Sequence, residues 1–281
     1  MSEKKSVTLA FKLCEPEKSK SDCSPIILHH GFLSCKERWR PIQQDLANAT
    51  GRKVYAIDAR NHGESEKSDY FNFDILTEDL KHFMDVQKIA SACFVGHSMG
   101  GLVVMALALT APDRVEKLIV EDVSPKEPEQ ELYYVFQAVV EEQLKCFEES
   151  TSSDTEGSMQ QKLRECLLRN IPMIPDEDQE IIQKMEFPIK KVDNGFQPLT
   201  NLKVIQKVLY TPRICHFPEK GQFNNDALFI YGCKSNFTVM EDSPLISKYF
   251  PKSRLFGVEN AGHEVCLHDP KGFITEITKF L

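Results

Sequence analysis

Short, continuous apolar runs alternate along the first half of the chain with longer stretches in which apolar residues return every three or four positions. Pro25 to His29, Val54 to Ile57, Ala92 to Val95 and Lys117 to Val120 read as buried strands, because brief apolar runs bounded by turn residues suit strands covered on both faces. Val7 to Cys14 alternates loosely, which predicts an edge strand. The stretches between them predict helices. Lys36 to Ala49 carries Trp39, Ile42 and Leu46 at helical spacing, and Ile75 to Ile89 carries Leu76, Leu80, Phe83 and Val86 on one face. Met99 to Thr110 contains the longest apolar run, Leu102 to Leu109. A bilayer span needs roughly 20 apolar residues, so this run predicts a buried helix. Strand–helix alternation of this kind predicts an α/β protein: a mostly parallel sheet with helices on both faces.

From about Pro125 the rhythm changes. Glu129 to Glu149 predicts one long amphipathic helix with Leu132, Phe136, Val139, Val140, Leu144 and Phe147 inside. Ser150 to Ser158 is polar and reads as a loop. Helical segments follow near Lys162 to Arg169 and Asp176 to Met185, and an Asn-Gly pair marks a turn within Val192 to Phe196. Strand rhythm returns at Ala227 to Tyr231 and Arg254 to Val258, and Phe273 to Leu281 closes as a helix. The expected organisation is a core built from residues 1–124 and 223–281, with residues 125–222 as a mostly helical cap inserted between two strands of one sheet.

Composition narrows the partners. The chain has 281 residues, 41% of them hydrophobic and 27% charged, which is globular and not disordered. Its net charge of −8 argues against nucleic acid or an anionic membrane as the main partner. Nine cysteines without a C-x-x-C pair fit a reduced compartment and neither a zinc site nor a disulfide framework. The first residues hold no apolar segment of signal-peptide length and lack the Arg-rich character of a transit peptide. A cytoplasmic protein without a transmembrane segment is the expectation.

The sharpest chemical signal is Gly96-His97-Ser98-Met99-Gly100-Gly101, set between a strand and an apolar helix. A tight strand-to-helix turn there lifts a serine hydroxyl above the sheet edge, and the helix N-terminus favours developing negative charge. Ser98 is therefore the candidate nucleophile; the plainer reading is a structural glycine turn. A serine needs a base within hydrogen-bond reach. Of eight histidines, His263 in Asn260-Ala261-Gly262-His263 follows the last strand on the side of the nucleophile. His97 adjoins Ser98 in sequence and points elsewhere, His82 lies in a helix, His216 at the exit of the insert, and His62 after another strand. His268 is the second choice. Asp122 ends the strand after the nucleophile, which places a carboxylate at the same sheet edge. Glu121 should face the other way by alternation, Asp242 is a further alternative, and capping of the insert is the plain role for Asp122.

Together with His29-His30-Gly31-Phe32 and Asp58-Ala59-Arg60-Asn61-His62-Gly63-Glu64-Ser65, these residues resemble the α/β-hydrolase fold family across essentially the whole chain. The Asp58 loop combined with Gly96-His97-Ser98-Met99-Gly100-Gly101 and Val120-Glu121-Asp122-Val123-Ser124-Pro125 is closer to the branch that holds abhydrolase domain-containing protein eleven and small bacterial acyl esterases. The resemblance implies hydrolysis of acyl esters without a cofactor or metal, with backbone N–H groups of Phe32 and Met99 as the oxyanion donors. It implies that His30 and the Asp58 loop are structural. The chain departs from the wider family after Leu228 to Tyr231, where Asn236 stands at the position usual for the triad aspartate. The resembling branch implies Asp122 as the acid instead, assisted by Ser235. The expected function is a serine hydrolase acting on a small-molecule acyl ester or lipid through Ser98, His263 and Asp122. An acyl thioesterase, or a non-catalytic binding protein on the same fold, is the alternative. Tyr133, Tyr134 and Phe136 are candidates to line an acyl pocket, unless that face simply packs on the sheet.

Overall fold

The computed structural model describes residues 6–20, 23–127, 129–171, 176–210, 217 and 221–281. In chain order its first half runs β1 (Phe11–Cys14), β2 (Ile26–His29), α1 (Gln43–Thr50), β3 (Val54–Ile57), α2 (Phe73–Val86), β4 (Ala92–His97), α3 (Met99–Thr110) and β5 (Val115–Glu121). Next come α4 (Gln130–Glu148), α5 (Glu156–Asn170), α6 (Asp176–Ile182), a hairpin of β6 (Ile189–Val192) and β7 (Gly195–Pro198), and α7 (Leu202–Leu209). The chain closes with β8 (Ala227–Gly232), α8 (Ser243–Tyr249), β9 (Ser253–Val258), α9 (Val265–His268) and α10 (Pro270–Phe280).

Seven strands form one sheet in the order β1-β3-β2-β4-β5-β8-β9, parallel throughout except for β1, which pairs antiparallel with β3 at the edge. Successive side chains divide between two cores, as strand alternation requires. Ile27, Phe94, Leu118, Val120 and Phe229 pack under α2 and α3, while Ile26, Leu28, Val95, Ile119 and Ile230 pack against Leu46 of α1 and Phe273 and Ile277 of α10. Helix α3 is apolar all round because it lies on the sheet and is itself covered by α2 and the insert. After β3 the chain crosses over β2 to β4, so the direction of winding reverses beside the C-terminal end of β4, where open α/β sheets collect ligands.

The segment expected as one helix from Lys36 to Ala49 splits into a 3-10 turn, Lys36–Trp39, and α1, with Pro41 between them. Proline lacks the N–H that a continuous helix needs there. The polar stretch expected as a loop over 150–158 ends instead in a helix start: Thr155 and Ser158 form a capping box that opens α5. Helix α4 has the expected length but not the expected burial. Val139 and Val140 are buried, whereas Leu132, Phe136, Leu144 and Phe147 are half-buried, because part of this face borders a cavity. Tyr134 is 56% exposed and lines neither of the two cavities beside Ser98, and His268 ends α9. His216 lies outside the described residues. Among the described residues no helix is long and apolar enough to cross a membrane.

Candidate active site

Ser98 stands at the turn from β4 to α3 with φ 52 and ψ −119, a left-handed backbone that a non-glycine residue adopts only under constraint. The constraint is visible: its N–H donates to the Glu121 carbonyl at 3.0 Å, and glycines at both flanks admit neighbouring backbone. A Cβ at Gly96 would stand 2.5 Å from the Gly100 carbonyl oxygen. Met99 opens α3, so its N–H has no acceptor within the helix. The Gly31–Ser34 turn arches over the same place. A Cβ on Gly31 would lie 3.2 Å from Ser98 Cβ and 2.6 Å from His97 Nδ1, so this backbone approaches the serine only as glycine. Phe32 follows in that turn and stacks obliquely on Phe136 of α4 at 4.7 Å.

Histidines support this turn from below. His30 donates from Nδ1 to the Gly31 carbonyl at 2.7 Å and accepts the Ala59 N–H at Nε2 at 3.0 Å, tying the Gly31 turn to the loop after β3. Asp58 in that loop accepts from the Lys36 N–H at 2.6 Å and its ammonium at 2.7 Å. Burial drives His30 and His97 well below the usual imidazole pKa and His29 and His62 to about 4, so these rings are neutral at physiological pH.

His263 moves the other way. Burial works against its positive charge, but the hydrogen bond and charge of Asp122 outweigh burial and raise its pKa above 6.5. Its Nδ1 is 2.7 Å from Asp122 Oδ2. Asp122 is fully buried just past the end of β5, itself at φ 52. It also accepts the Ser235 hydroxyl at 2.5 Å and the Gly232 N–H at 2.9 Å. The main chain of His263 is equally restrained: its N–H donates to Asp178 Oδ2 at 2.7 Å, its carbonyl accepts from His97 Nε2 at 3.1 Å, and Phe237 stacks on the ring at 4.2 Å. That leaves Nε2 as the ring nitrogen available to the cavity, which His263 and Ser98 both line.

The other acid candidates are engaged elsewhere. Glu121 faces the opposite side of β5, where it pairs with Arg38 at 2.8 Å and accepts the Cys266 N–H at 2.7 Å. Asp242 accepts from Ser124 at 2.5 Å. Asn236 lines the cavity.

Two functional candidates escaped the sequence reading. Asp178, on α6 of the insert, is 4% exposed and accepts from the N–H groups of both His263 and Glu264, at 2.7 and 3.3 Å. Gly262 leaves room for it, since a Cβ there would collide with the carboxylate. Burial pushes the Asp178 carboxyl up against the pull of these donors. Arg38 lies under the same loop, bridging Glu121 and Glu264. The only hint in the sequence is the Arg38-Trp39 pair inside an apolar pattern; nothing local marks Asp178. Among the described residues no group of His, Cys, Asp or Glu side chains is arranged to hold a metal.

A cavity of about 350 Å³ opens over Ser98 between the Gly31 turn and α4, α5 and α6. A second, of about 70 Å³, adjoins Ser98 between α3, α4 and α7.

The sequence profile of the alpha/beta hydrolase fold matches residues 24–270. The chain is 31% identical over 265 residues to the sn-1-specific diacylglycerol lipase ABHD11 of Danio rerio, covering 93% of this chain and 80% of that one. It is 26% identical over 295 residues to ethanol acetyltransferase 1 of Cyberlindnera jadinii, covering 99% and 87%. Among solved structures it is similar to a marine microorganism esterase, with a TM-score of 0.80 and 27% identity over 98% of this chain and 100% of that one.

Proposed function

The chain belongs to the α/β-hydrolase fold family, and from that premise we propose that it is a serine hydrolase cleaving carboxylic esters through Ser98, His263 and Asp122. The observation that carries the reading is His263 itself. Its Nδ1–H is held by a buried carboxylate, and its Nε2 is left for the cavity that Ser98 lines. Relatives named as lipase, acetyltransferase and esterase support acyl chemistry.

In the proposed reaction Ser98 Oγ forms a bond to the carbonyl carbon while its proton passes to His263 Nε2. Asp122 stabilises the imidazolium. The N–H groups of Phe32 and Met99 hold the oxyanion. Collapse breaks the bond to the leaving oxygen, which takes the proton from His263. Water then attacks the acyl-enzyme, giving its proton to His263, and departure of Ser98 Oγ recovers that proton and frees the acid. Ser235 assists Asp122 through its 2.5 Å hydrogen bond. Residues 125–222 act as the cap over this site. A fluorophosphonate probe tests the reading: it labels the folded wild-type protein and not Ser98→Ala. Folded wild-type protein that takes no label is a binding protein on a hydrolase fold.

Asp178 ties that cap to the base. Asp178→Ala leaves the N–H groups of His263 and Glu264 unpaired, at roughly 1–3 kcal/mol for such a loss, and is expected to lower kcat by roughly tenfold. Asp178→Asn keeps an oxygen acceptor and should lose less. The measurement is kcat on one activated ester, with circular dichroism as the control for folding. Equal kcat for Asp178→Ala and wild type would remove Asp178 from any part in positioning His263.

A further inference from the structure

The two cavities meet at Ser98 and share Phe32, Leu132, Phe136 and Phe237 as a common wall. They are therefore arms of one bent site with the serine at the corner. They differ in size, polarity and, above all, in access to His263, which lines the wide arm and not the narrow one. We propose that the narrow arm takes the acyl chain and the wide arm the alcohol half, so that the enzyme selects esters of short apolar acids with bulkier alcohols. This rests on the serine-hydrolase reading above.

The assignment of the arms follows from the proton. The leaving oxygen must receive a proton from His263 Nε2 as its bond to carbon breaks, so the alcohol half has to lie on the side of that ring. The third substituent of the tetrahedral carbon, the acyl chain, then points away from His263, past Met99. The narrow arm lies there. It is lined by Phe71, Phe73 and Leu102 from the core and by Ile205, Val208 and Leu209 of α7. Apart from Ser98 and Tyr133, every lining side chain is a hydrocarbon or a methionine. The arm offers no charged side chain to a charged chain end, which would be buried there without a partner.

Volume sets the chain length. A water-sized group needs roughly 10–15 Å³ of such space. An arm of about 70 Å³ therefore accepts about five to seven chain carbons. Each buried methylene adds about fourfold in transition-state affinity until the arm is full. One group too many in a closed apolar pocket costs roughly tenfold or more. The wide arm has other properties. Its mouth carries Glu37, Arg40, Lys184 and Glu186, and its volume of about 350 Å³ lies in the range of sites that hold drug-sized molecules.

The experiment measures kcat/KM on nitrophenyl esters from acetyl to dodecanoyl, for wild type and three variants outside the proposed catalytic groups. Counting the carbonyl carbon, wild type is expected to peak at about six to eight acyl carbons and to fall at least tenfold by decanoyl. Ile205→Ala lengthens the narrow arm and moves the peak to longer chains. Val208→Phe, at a half-buried position, fills the arm and moves the peak to acetyl. Leu167→Ala, in the wide arm only, leaves the acyl profile unchanged. A wild-type optimum at decanoyl or longer overturns the assignment, as does a profile that shifts with Leu167→Ala and not with the two narrow-arm variants. Ser98-dependent turnover accompanying either result keeps the serine-hydrolase reading and discards only the division of the site. No turnover of any ester, with no fluorophosphonate labelling, discards both.

Discussion

Ser98→Ala and His263→Ala are each expected to lower kcat on an activated ester by on the order of 10⁶, with the fold retained. The size of the loss reflects a unit in which neither group works alone. Without Ser98 there is no acyl acceptor, and without His263 the hydroxyl keeps its proton and the leaving oxygen gains none. The structure also says why the serine variant should fold. Backbone bonds hold the turn, with the Ser98 N–H on the Glu121 carbonyl and the Leu102 N–H on the Ser98 carbonyl at 3.1 Å. Alanine at φ 52 carries much the same strain as serine, so the turn loses no support that serine supplied. His263→Ala removes the stacked contact with Phe237 and leaves the Asp122 carboxylate without its imidazole partner. Its melting temperature should therefore fall further than that of Ser98→Ala. The check is kcat for purified proteins beside their circular dichroism spectra. A tenth of the wild-type rate in either folded variant removes that residue from the mechanism.

Asp122→Asn is expected to lower kcat by about 10³ to 10⁴. Asp122 is surrounded by donors: the Gly232 N–H, the Ser235 hydroxyl and the His263 Nδ1–H. A carboxylate accepts from all three. An amide offers one oxygen and turns an NH₂ toward a donor or toward Nδ1, which selects the wrong tautomer of the base. Ser235→Ala, which removes one of these bonds, should cost roughly tenfold. Asp242→Asn should stay within a few-fold of wild type on the same basis. Glu121→Gln weakens a buried ion pair, so its effect belongs in the melting temperature more than in kcat.

The pH profile gives an independent reading of the same pair. The base works as neutral imidazole, so kcat/KM rises with pH through the pKa of His263. Asp122 raises that pKa, which puts the midpoint of the acid limb above 6.5 in wild type. Removing the charge lets burial dominate and moves the limb to lower pH in Asp122→Asn. An unmoved limb together with near-wild-type kcat would return the acid to another residue.

The local pattern determined much of this protein. Alternating buried runs and helical periodicities are properties of neighbouring residues, and they were enough for the parallel sheet, the turn at Ser98 and the return of strands after residue 222. Alternation along one strand was also enough to separate Glu121 from Asp122. Helix α8 escaped because its seven residues hold too few apolar positions to show a period, whereas α7 does carry one, with Leu202, Ile205 and Leu209 at helical spacing. The burial of α4 departs from its sequence pattern for a different reason. An amphipathic face has the same sequence whether it packs on a sheet or borders a cavity. Only tertiary packing decided what that face meets. It also decided that Asp178 of the insert reaches the backbone of a histidine 85 positions away, and that Arg38 lies beneath the same loop between Glu121 and Glu264. Those partners are distant in sequence, and each is set by where whole elements dock. The bent cavity belongs to the same class: its corner is one serine legible in the sequence, and its arms are spaces between elements that no local pattern encodes.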